Sequence, residues 1–253
     1  MHDHGDIFPK DYDRYIEPFL GSGAVFFHLQ PESAVLGDIN KELIDTYKSI
    51  RENWQLVHRY LRDHHRNHCH DHYYHIRANT PRSAASRAAR FIYLNRTCWN
   101  GLYRVNLEGN FNVPIGSKTD VITDEVCFAT VADTLSRAEL RDSDFEYLID
   151  ESRRGDLVFV DPPYTVRHNH NAFIKYNEKL FSWFDQQRLF HALRRARNRG
   201  VTIVGTNALH DSVIDLYAGE FETFSVDRIS PISCKADGRN RFSEMLFHTG
   251  DLS

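Results

Sequence analysis

Residues 14–38 read Arg14-Tyr-Ile-Glu-Pro-Phe-Leu-Gly-Ser-Gly-Ala-Val-Phe-Phe-His-Leu-Gln-Pro-Glu-Ser-Ala-Val-Leu-Gly-Asp38. The stretch starts with a short run typical of a strand, turns through two glycines and continues with the apolar spacing of a helix. Residues 33–37 then predict a second strand, which ends on Asp38. Strand, glycine turn, helix, strand and acid follow one another in nucleotide-binding βαβ halves. We therefore predict an α/β fold that begins with such a βαβ half.

The α/β pattern returns near the carboxyl end of the chain. Leu157-Val-Phe-Val160 is a continuous apolar run, as in a strand buried on both faces of a parallel sheet. Between about residues 51 and 145 the pattern is of helices of mixed polarity followed by a stretch rich in Gly and Asn. We predict one α/β domain, residues 1–50 and 146–253, with an inserted, mainly helical domain over 51–145. The predicted elements are helices over 24–29, 54–63, 83–94 and 186–199, strands over 14–17, 33–37, 157–160 and 201–205, and a hairpin over 106–112.

The composition indicates an ordinary globular protein. Of the 253 residues, 41% are hydrophobic and 26% are charged, which excludes disordered, collagen-like and coiled-coil chains. No run approaches the roughly 18 apolar residues of a membrane-spanning helix, and the first residues do not resemble a signal peptide. The cysteines, at positions 69, 98, 127 and 234, have no C-x-x-C spacing and predict neither a disulfide framework nor a zinc ribbon. We expect a cytoplasmic protein with reduced thiols and no membrane partner.

Charge is distributed unevenly along the chain. The formal net charge is −4 at pH 7, yet the segment 51–118 holds 11 basic and 4 acidic residues, a balance of +7, which leaves −11 for the remainder. A basic block inside an acidic chain is typical of a phosphate-binding module joined to an enzyme that uses a small molecule. An arginine-rich helical face exposed to solvent is the alternative interpretation.

Pro18-Phe-Leu-Gly-Ser-Gly23 follows the first predicted strand. Its two glycines permit a tight turn and the close approach of a ligand to bare backbone near the start of a helix. Position 26 is Phe rather than the third glycine of the dinucleotide fingerprint, which disfavours an NAD pyrophosphate. Asp38 lies where a carboxylate usually binds ribose hydroxyls, so the two features together favour an adenosine-containing ligand. Alternatively, Asp38 is the N-cap of a helix that begins near Lys41.

Asp161-Pro-Pro-Tyr164 follows the buried apolar strand. The two prolines fix the backbone and prevent it from continuing as a ladder or a helix, so nearby carbonyls can be directed at a ligand. Asp161 is an acceptor at the carboxyl end of a strand, and Tyr164 adds a flat aromatic face. Acceptors for an exocyclic amine together with a stacking ring can hold an unpaired adenine. A rigid turn without a ligand is the alternative.

Four stretches of this sequence together resemble the Dam-type (D12 class) DNA adenine-N6 methyltransferases, over about residues 15–247. Three are short: residues 18–23, Gly37-Asp-Ile-Asn40 and residues 161–164. The fourth is long and highly specific, Asn95-Arg-Thr-Cys-Trp-Asn-Gly-Leu-Tyr-Arg-Val-Asn-Leu-Glu-Gly-Asn-Phe-Asn-Val-Pro-Ile-Gly116. The resemblance implies a Rossmann-like methyltransferase sheet with an inserted target-recognition domain and a β-hairpin. It also implies transfer of a methyl group from S-adenosyl-L-methionine to N6 of a flipped adenine in duplex DNA.

The resemblance further implies roles for individual residues. Asp161 and the carbonyl of Pro162 would accept the two N6 hydrogens of the adenine, while Tyr164 stacks on its ring. Asp144-Phe145 is similar to the family's clamp on the adenine of the cofactor, and a helix cap followed by a core aromatic residue is the alternative. No metal ion is implied. The implied cofactor-binding residues are Pro18, Phe19, Gly21, Gly23, Asp38, Asp144, Phe145 and Asp161.

Recognition of the DNA sequence is expected in the basic insert. Arginine side chains favour guanine edges and asparagine side chains favour adenine edges, and Leu107 could wedge between bases as the target leaves the stack. The motif is similar to members that act on GATC. Asn and Gly are also what a hairpin turn requires, so each position has a purely structural alternative. The predicted DNA-binding residues are Arg96, Asn100, Arg104, Asn106, Leu107 and Asn112.

A histidine-rich stretch, residues 63–75, raises the question of a metal site. His64 and His68 are four residues apart and can share a helical face, with Cys69 nearby. No second cluster with zinc spacing exists in the sequence, so we predict no metal site and interpret the stretch as a polar, partly protonated segment over DNA.

Members of this family usually begin with a Lys-Trp-Ala-Gly-Gly-Lys-like segment that closes over the cofactor, and nothing in the printed sequence corresponds to it. The alternative function is therefore a DNA-binding methyltransferase relic with weak or no activity. An amine methyltransferase acting on RNA or protein shares the acid-or-amide-Pro-Pro-Tyr chemistry, but the long hairpin motif argues against it. We expect double-stranded DNA as the partner, no obligate protein partner, and a monomer.

Overall fold

The computed structural model describes residues 7–106, 109–121, 125–165, 181–229 and 241–250. Within these ranges the chain forms eight α-helices and seven β-strands. The helices are α1 (Ala24–Leu29), α2 (Lys41–Arg66), α3 (His70–Ala78), α4 (Ala84–Thr97), α5 (Glu125–Leu135), α6 (Phe145–Asp150), α7 (Trp183–Asn198) and α8 (Asp211–Tyr217). The strands are β1 (Arg14–Glu17), β2 (Ala34–Asp38), β3 (Ala138–Asp142), β4 (Asp156–Val160), β5 (Thr202–Ala208), β6 (Glu222–Ile229) and β7 (Arg241–His248).

The seven strands form one mixed sheet in the order β3-β2-β1-β4-β5-β7-β6. The pairs β1–β2, β1–β4 and β4–β5 are parallel, whereas β7 runs antiparallel to β5 and to β6. In the register of β4 and β5, Val160 lies opposite Gly205. This sheet confirms the predicted α/β, Rossmann-like fold.

Apolar sequence determines which strands lie at the centre. Strand β4 is buried at all five positions, as a continuous apolar run in a parallel sheet requires. Helix α7 contributes Leu189, Leu193 and Ala196 to the same buried cluster as Val158 and Ile203. These three helix residues are spaced four and three apart and therefore lie on one face of the helix. The core consequently fixes the backbone of β4, which leads directly into residues 161–164.

Capping interactions define the start of α7. The Ser182 side chain accepts a hydrogen bond from the Asp185 backbone N–H at 3.2 Å, and the Asp185 carboxylate accepts one from the Ser182 N–H at 2.9 Å. This reciprocal pair satisfies two backbone donors that have no partner within the helix itself. It places the beginning of α7 at Trp183.

The chain divides into two compact units. The first unit comprises residues 1–22, 31–39 and 143–253, and it contains β1, β2, β4–β7 and helices α6–α8. The second unit comprises residues 23–30 and 40–142, and it contains α1–α5 and β3. The roles that we assigned to the two parts of the chain stay predictions. None of the described helices has the length and apolar character needed to cross a bilayer.

The second unit differs in two details from what its sequence predicted. Helix α2 continues from Lys41 to Arg66, with a non-helical residue at Asn53. The Asn53 side chain accepts a hydrogen bond from the Leu56 N–H at 3.2 Å, so the predicted helix over 54–63 starts at an internal cap. The predicted hairpin over 106–112 is a single antiparallel bridge between Val105 and Phe111 in the described residues.

Candidate active site and nucleic-acid interface

The sheet has a switch point at its centre. Strand β1 has β2 on one side and β4 on the other. Open α/β sheets bind ligands at such a point, outside the carboxyl ends of their strands. Three predicted site segments of the first unit follow these strand ends: residues 18–21 after β1, Asp38 at the end of β2, and residues 161–164 after β4. The topology therefore gathers the predicted cofactor and catalytic segments at one edge.

The glycine turn after β1 is joined to the end of β2. The Gly21 backbone N–H donates to Asp38 Oδ2 at 3.1 Å, and the Leu20 N–H donates to the Gly37 carbonyl at 2.8 Å. Gly21 has a φ of +45°, and a Cβ added there would meet no atom within 4 Å. Glycine is therefore required at this position by the backbone conformation rather than by crowding.

Asp38 does not cap the following helix. The N-cap of α2 is Asn40, whose side chain accepts a hydrogen bond from the Leu43 N–H at 3.3 Å. The alternative role that we considered for Asp38 is therefore wrong. Its carboxylate, half-buried at the end of β2, instead holds the glycine turn.

Asp144 and Phe145 begin helix α6. Asp144 Oδ1 accepts a hydrogen bond from the Glu146 N–H at 2.9 Å and one from Arg188 Nη2 at 3.0 Å. The Phe145 ring is buried and stacks on the Phe19 ring of the glycine motif, with 5.2 Å between ring centroids. A helix cap followed by a core aromatic residue thus describes what the structure shows, and the role of this pair in cofactor binding stays a prediction.

Arg188 and Arg195 reinforce the start of α6. Arg188 lies over the Phe145 ring at 4.9 Å and donates to Glu146 at 3.0 Å. Hydrogen bonds from Arg195 first, and from Arg188 as well, hold the pKa of the Glu146 carboxyl below its usual range. The segment that follows Asp144 is therefore held by several charged contacts at once.

Residues 160–164, which we call the Asp161 corner, combine a rigid backbone with an exposed carboxylate. Val160 is fully buried, Asp161 is exposed and Pro162 is buried again, so the chain leaves the sheet abruptly at the acid. Tyr164 is half-buried. Asp161 Oδ1 accepts a hydrogen bond from Thr206 Oγ1 of β5 at 2.5 Å. The structure therefore leaves this carboxylate at the surface of the first unit.

The sequence did not single out two polar residues near these strand ends. One is Thr206, because only the strand register brings it beside Asp161. The other is Glu17, which is 2% exposed and accepts a hydrogen bond from the Tyr15 hydroxyl at 2.8 Å. Burial first, and the Glu17 carboxylate second, raise the pKa of Tyr15. The position of Glu17 directly before Pro18 is the signal in the sequence that could have identified this residue.

Three of the six predicted DNA-binding residues, Arg104, Asn106 and Asn112, lie in one hydrogen-bonded loop. Arg104 Nε donates to Asn112 Oδ1 at 2.9 Å, and the Asn112 N–H donates to the Arg104 carbonyl at 3.1 Å. The Asn106 backbone N–H donates to the Asn110 carbonyl at 2.8 Å, and the Asn106 side chain accepts the Asn110 N–H at 2.9 Å. Asn106 and Asn112 thus make hydrogen bonds within the loop, as the alternative, purely structural role requires. Their contact with bases stays a prediction.

The remaining predicted interface residues have different surroundings. Arg96 Nε donates to the Asp120 carbonyl at 2.9 Å, at the end of helix α4. Asn100 has a positive φ of 55° in a turn that follows this helix. Leu107 lies outside the described residues.

The histidine-rich stretch forms the end of α2 and the helix α3. His64 Nδ1 lies 3.2 Å from His72 Nε2, and both rings contact the Tyr93 ring. Burial first, and His72 second, lower the pKa of His64 to about 4, and burial also lowers the pKa of His68 and of His72. The lowered pKa values favour the neutral forms of these three imidazoles near pH 7, and the interpretation of residues 63–75 as a polar, partly protonated segment over DNA stays a prediction. Across the described ranges, no group of three or more His, Cys, Asp or Glu side chains is arranged to hold a metal ion.

Comparison with known proteins agrees with these features. The family model for D12 class N6 adenine-specific DNA methyltransferases matches residues 5–231. A Type II methyltransferase of Lactococcus lactis subsp. cremoris, M1.LlaDCHI, is 31% identical over 249 residues, which are 95% of this chain and 87% of that protein. The Type II methyltransferase M.MjaIII of Methanocaldococcus jannaschii is 32% identical over 89% of this chain and 84% of its own length. A DNA adenine methylase of Vibrio cholerae is 30% identical over 91% of this chain and 85% of its own length. Because the family model spans most of the chain, this protein belongs to the D12 class N6 adenine-specific DNA methyltransferases.

Proposed function

We propose that this protein transfers a methyl group from S-adenosyl-L-methionine to N6 of an adenine flipped out of duplex DNA, with GATC as the recognised site. The observation that carries the proposal is the Asp161 corner. An exposed carboxylate directly follows a fully buried strand, and a buried proline directly follows the carboxylate. A rigid acceptor of this kind, at the switch point of the sheet, suits the recognition of an amino group.

The residues at the glycine turn fit S-adenosyl-L-methionine by their chemistry. The Asp38 carboxylate offers oxygens to ribose hydroxyls, and the open space beside Gly21 allows a ligand to approach the backbone. Pro18, Phe19, Gly23, Asp144 and Phe145 complete the proposed site. When bound, the cofactor would supply a methyl group on a sulfonium, so that attack of a nitrogen lone pair on the methyl carbon breaks the carbon–sulfur bond and releases a neutral thioether.

The Asp161 corner would prepare the amino group of the adenine. A carboxylate oxygen of Asp161 and the Pro162 carbonyl each accept one N6 hydrogen. Holding both hydrogens out of the ring plane withdraws the nitrogen lone pair from conjugation and directs it outward, while stacking on Tyr164 orients the base. The methylated amine cation is acidic, so its proton can leave after transfer without a dedicated histidine base.

The second unit would recognise the DNA. All of segment 51–118, with its balance of +7, falls within this unit, which gives it a phosphate-binding charge. Arg104 is held by Asn112 through Nε, and its terminal nitrogens suit the O6 and N7 acceptors of guanine. Arg96, Asn100, Asn106, Leu107 and Asn112 are the other proposed contacts.

The decisive experiment measures methylation in a host that lacks its own adenine methylases. Plasmid from cells that express the wild type should resist an endonuclease that requires unmethylated GATC, and sequencing that detects N6-methyladenine should place the mark. We expect Asp161→Ala to lower the methylation rate by roughly 100-fold or more, because a positioned acceptor at the reacting centre is lost.

Asp215→Ala is the matched control for this experiment, because Asp215 is an exposed acid of helix α8 in the same unit. This control should retain the wild-type rate. Methylation at an adenine site other than GATC would contradict the proposed recognition sequence but not the proposed methylation of adenine. Complete absence of N6-methyladenine, with folded protein present, would contradict the proposed function.

A further inference from the structure

The side chain of Thr206 lies beside the proposed catalytic acid. Thr206 is a half-buried residue of β5, and its Oγ1 lies 2.5 Å from Asp161 Oδ1. The threonine hydroxyl donates and the Asp161 oxygen accepts. The sequence alone does not indicate this contact, because Asp161 and Thr206 are 45 residues apart in the chain.

The sheet fixes the place of this hydroxyl. Val160 pairs with Gly205 in the parallel register, which sets Thr206 next to Asp161. On the other side of β5, Thr206 pairs with Leu246 of β7. A Cβ added to Gly205 would overlap the Phe247 ring and the Val160 side chain, so β5 packs closely against its surroundings at this point. The donor is therefore held by strands on both sides.

The Asp161 carboxylate, by contrast, can rotate about its terminal torsion. Asp161 is exposed, and the terminal torsion of an aspartate is broad, so its two oxygens can exchange places in the absence of a partner. A fixed donor on Oδ1 restricts this rotation and leaves Oδ2 to accept from a ligand. The restriction matters for a reaction that needs the acceptor in one direction.

We propose that Thr206 is a positioning residue, whose hydroxyl fixes the plane of the Asp161 carboxylate so that it can accept an N6 hydrogen of the target adenine. The inference rests on the proposed function and adds a residue to it. It differs from the simpler view that threonine is present for its β-branched shape, which suits a strand. The two views predict opposite orders for two substitutions.

The test compares Thr206→Val and Thr206→Ser with the wild type. Valine keeps the branched shape and loses the hydroxyl, whereas serine keeps the hydroxyl and loses the branch. The assay follows transfer of a labelled methyl group from S-adenosyl-L-methionine to a short duplex that contains the adenine site methylated by the wild type. We expect Thr206→Val to lower kcat on the order of 10- to 100-fold, because a misplaced acceptor slows the chemical step.

Binding should change little. The KM for the duplex and the Kd for S-adenosyl-L-methionine should stay within about twofold of the wild type, since the hydroxyl contacts the acid rather than the ligand surface. Thr206→Ser should recover most of the rate. Thr202→Val, on the same face of the same strand, is the matched control and should leave kcat unchanged. Thermal unfolding confirms that each variant is folded.

The outcomes separate this inference from the proposed function. A fully active Thr206→Val, or a Thr206→Ser as slow as Thr206→Val, overturns the positioning role alone. Wild-type protein that transfers no methyl group to any duplex overturns the proposed function and this inference together.

Discussion

Asn100 illustrates how one residue can have two different reasons to be present. Its φ of 55° lies in the left-handed region, which costs most L residues roughly 1–2 kcal/mol and which asparagine tolerates better than most. The backbone alone therefore explains an asparagine in this turn. The side-chain amide is also suited to an adenine edge, and this contact is what we proposed. The two reasons can be separated, because glycine satisfies the first and removes the second.

We expect Asn100→Gly to keep the wild-type Tm and to weaken binding of a GATC duplex by about tenfold, the size of one lost base contact. Asn100→Ala should lose the same binding and also destabilise the protein by about 1 kcal/mol, because alanine is strained at this φ. Urea unfolding and fluorescence anisotropy with a labelled duplex measure the two effects. Unchanged duplex binding in Asn100→Gly would leave the residue with a conformational role only.

The sequence brings residues together most plainly where they are near in the chain. The glycine turn and Asp38 lie in one strand–turn–helix–strand segment, and the structure joins them by a hydrogen bond, while their role in cofactor binding stays a prediction and the cap of α2 is Asn40. Thr206 was not predictable, because its contact with Asp161 depends on the register of two strands. Periodicity in a sequence identifies strands but does not give their register.

At the scale of elements, α2 and α3 meet through imidazole rings. His64 Nδ1 lies 3.2 Å from His72 Nε2, and its ring stacks on Tyr93 of α4 at 5.0 Å. Burial and His72 lower the pKa of His64 to about 4, and the Asp63 carboxylate opposes this only in part. Protonation therefore favours the unfolded chain, in which the pKa is near 6.5. The contribution of His64 to stability is complete above that value and is lost as the pH falls from about 6.5 to about 4.

We expect the urea midpoint of the wild type to fall between pH 7 and pH 4.5, and His64→Leu to reduce that fall because it removes one proton uptake on unfolding. His70→Gln is the matched control, since its side chain is 72% exposed at the start of α3. This control should follow the wild-type pH dependence. A fall of equal size in His64→Leu would show that other groups cause the acid sensitivity.

Elements were predictable where burial imposes a clear pattern. The predicted strand over 157–160 and the predicted helix over 186–199 correspond to β4 and α7, which carry continuous and amphipathic apolar patterns respectively. Strands β6 and β7 were not predicted, because polar residues interrupt the apolar pattern of both. The predicted hairpin over 106–112 has turn residues but only one bridge in the described part of the loop.

At the scale of the whole molecule, charge is divided between the two units. The segment 51–118 carries +7 and lies entirely in the second unit, while the rest of the chain carries −11. The Asp38 and Asp161 carboxylates lie in the first unit. An enzyme that binds a polyanion with one unit and a small sulfonium cofactor with the other should show two different responses to salt, because counterion release accompanies only phosphate contacts.

We expect the affinity for duplex DNA to fall steeply with salt, with a logarithmic slope of about −0.9 for each phosphate contact. Fluorescence anisotropy of a labelled duplex between about 50 and 200 mM NaCl measures this slope, and a duplex without GATC should give a similar one because phosphate contacts carry no sequence information. Calorimetric titration with S-adenosyl-L-methionine over the same range of salt should show a cofactor affinity that depends much more weakly on salt.

A variant in which Arg59 and Arg66, two exposed arginines of α2, are both replaced by Gln tests one helix of the basic segment. Its salt slope for duplex binding should be smaller than that of the wild type only if that helix contacts phosphates. Duplex affinity that does not change with salt would contradict a phosphate-binding role for the basic segment.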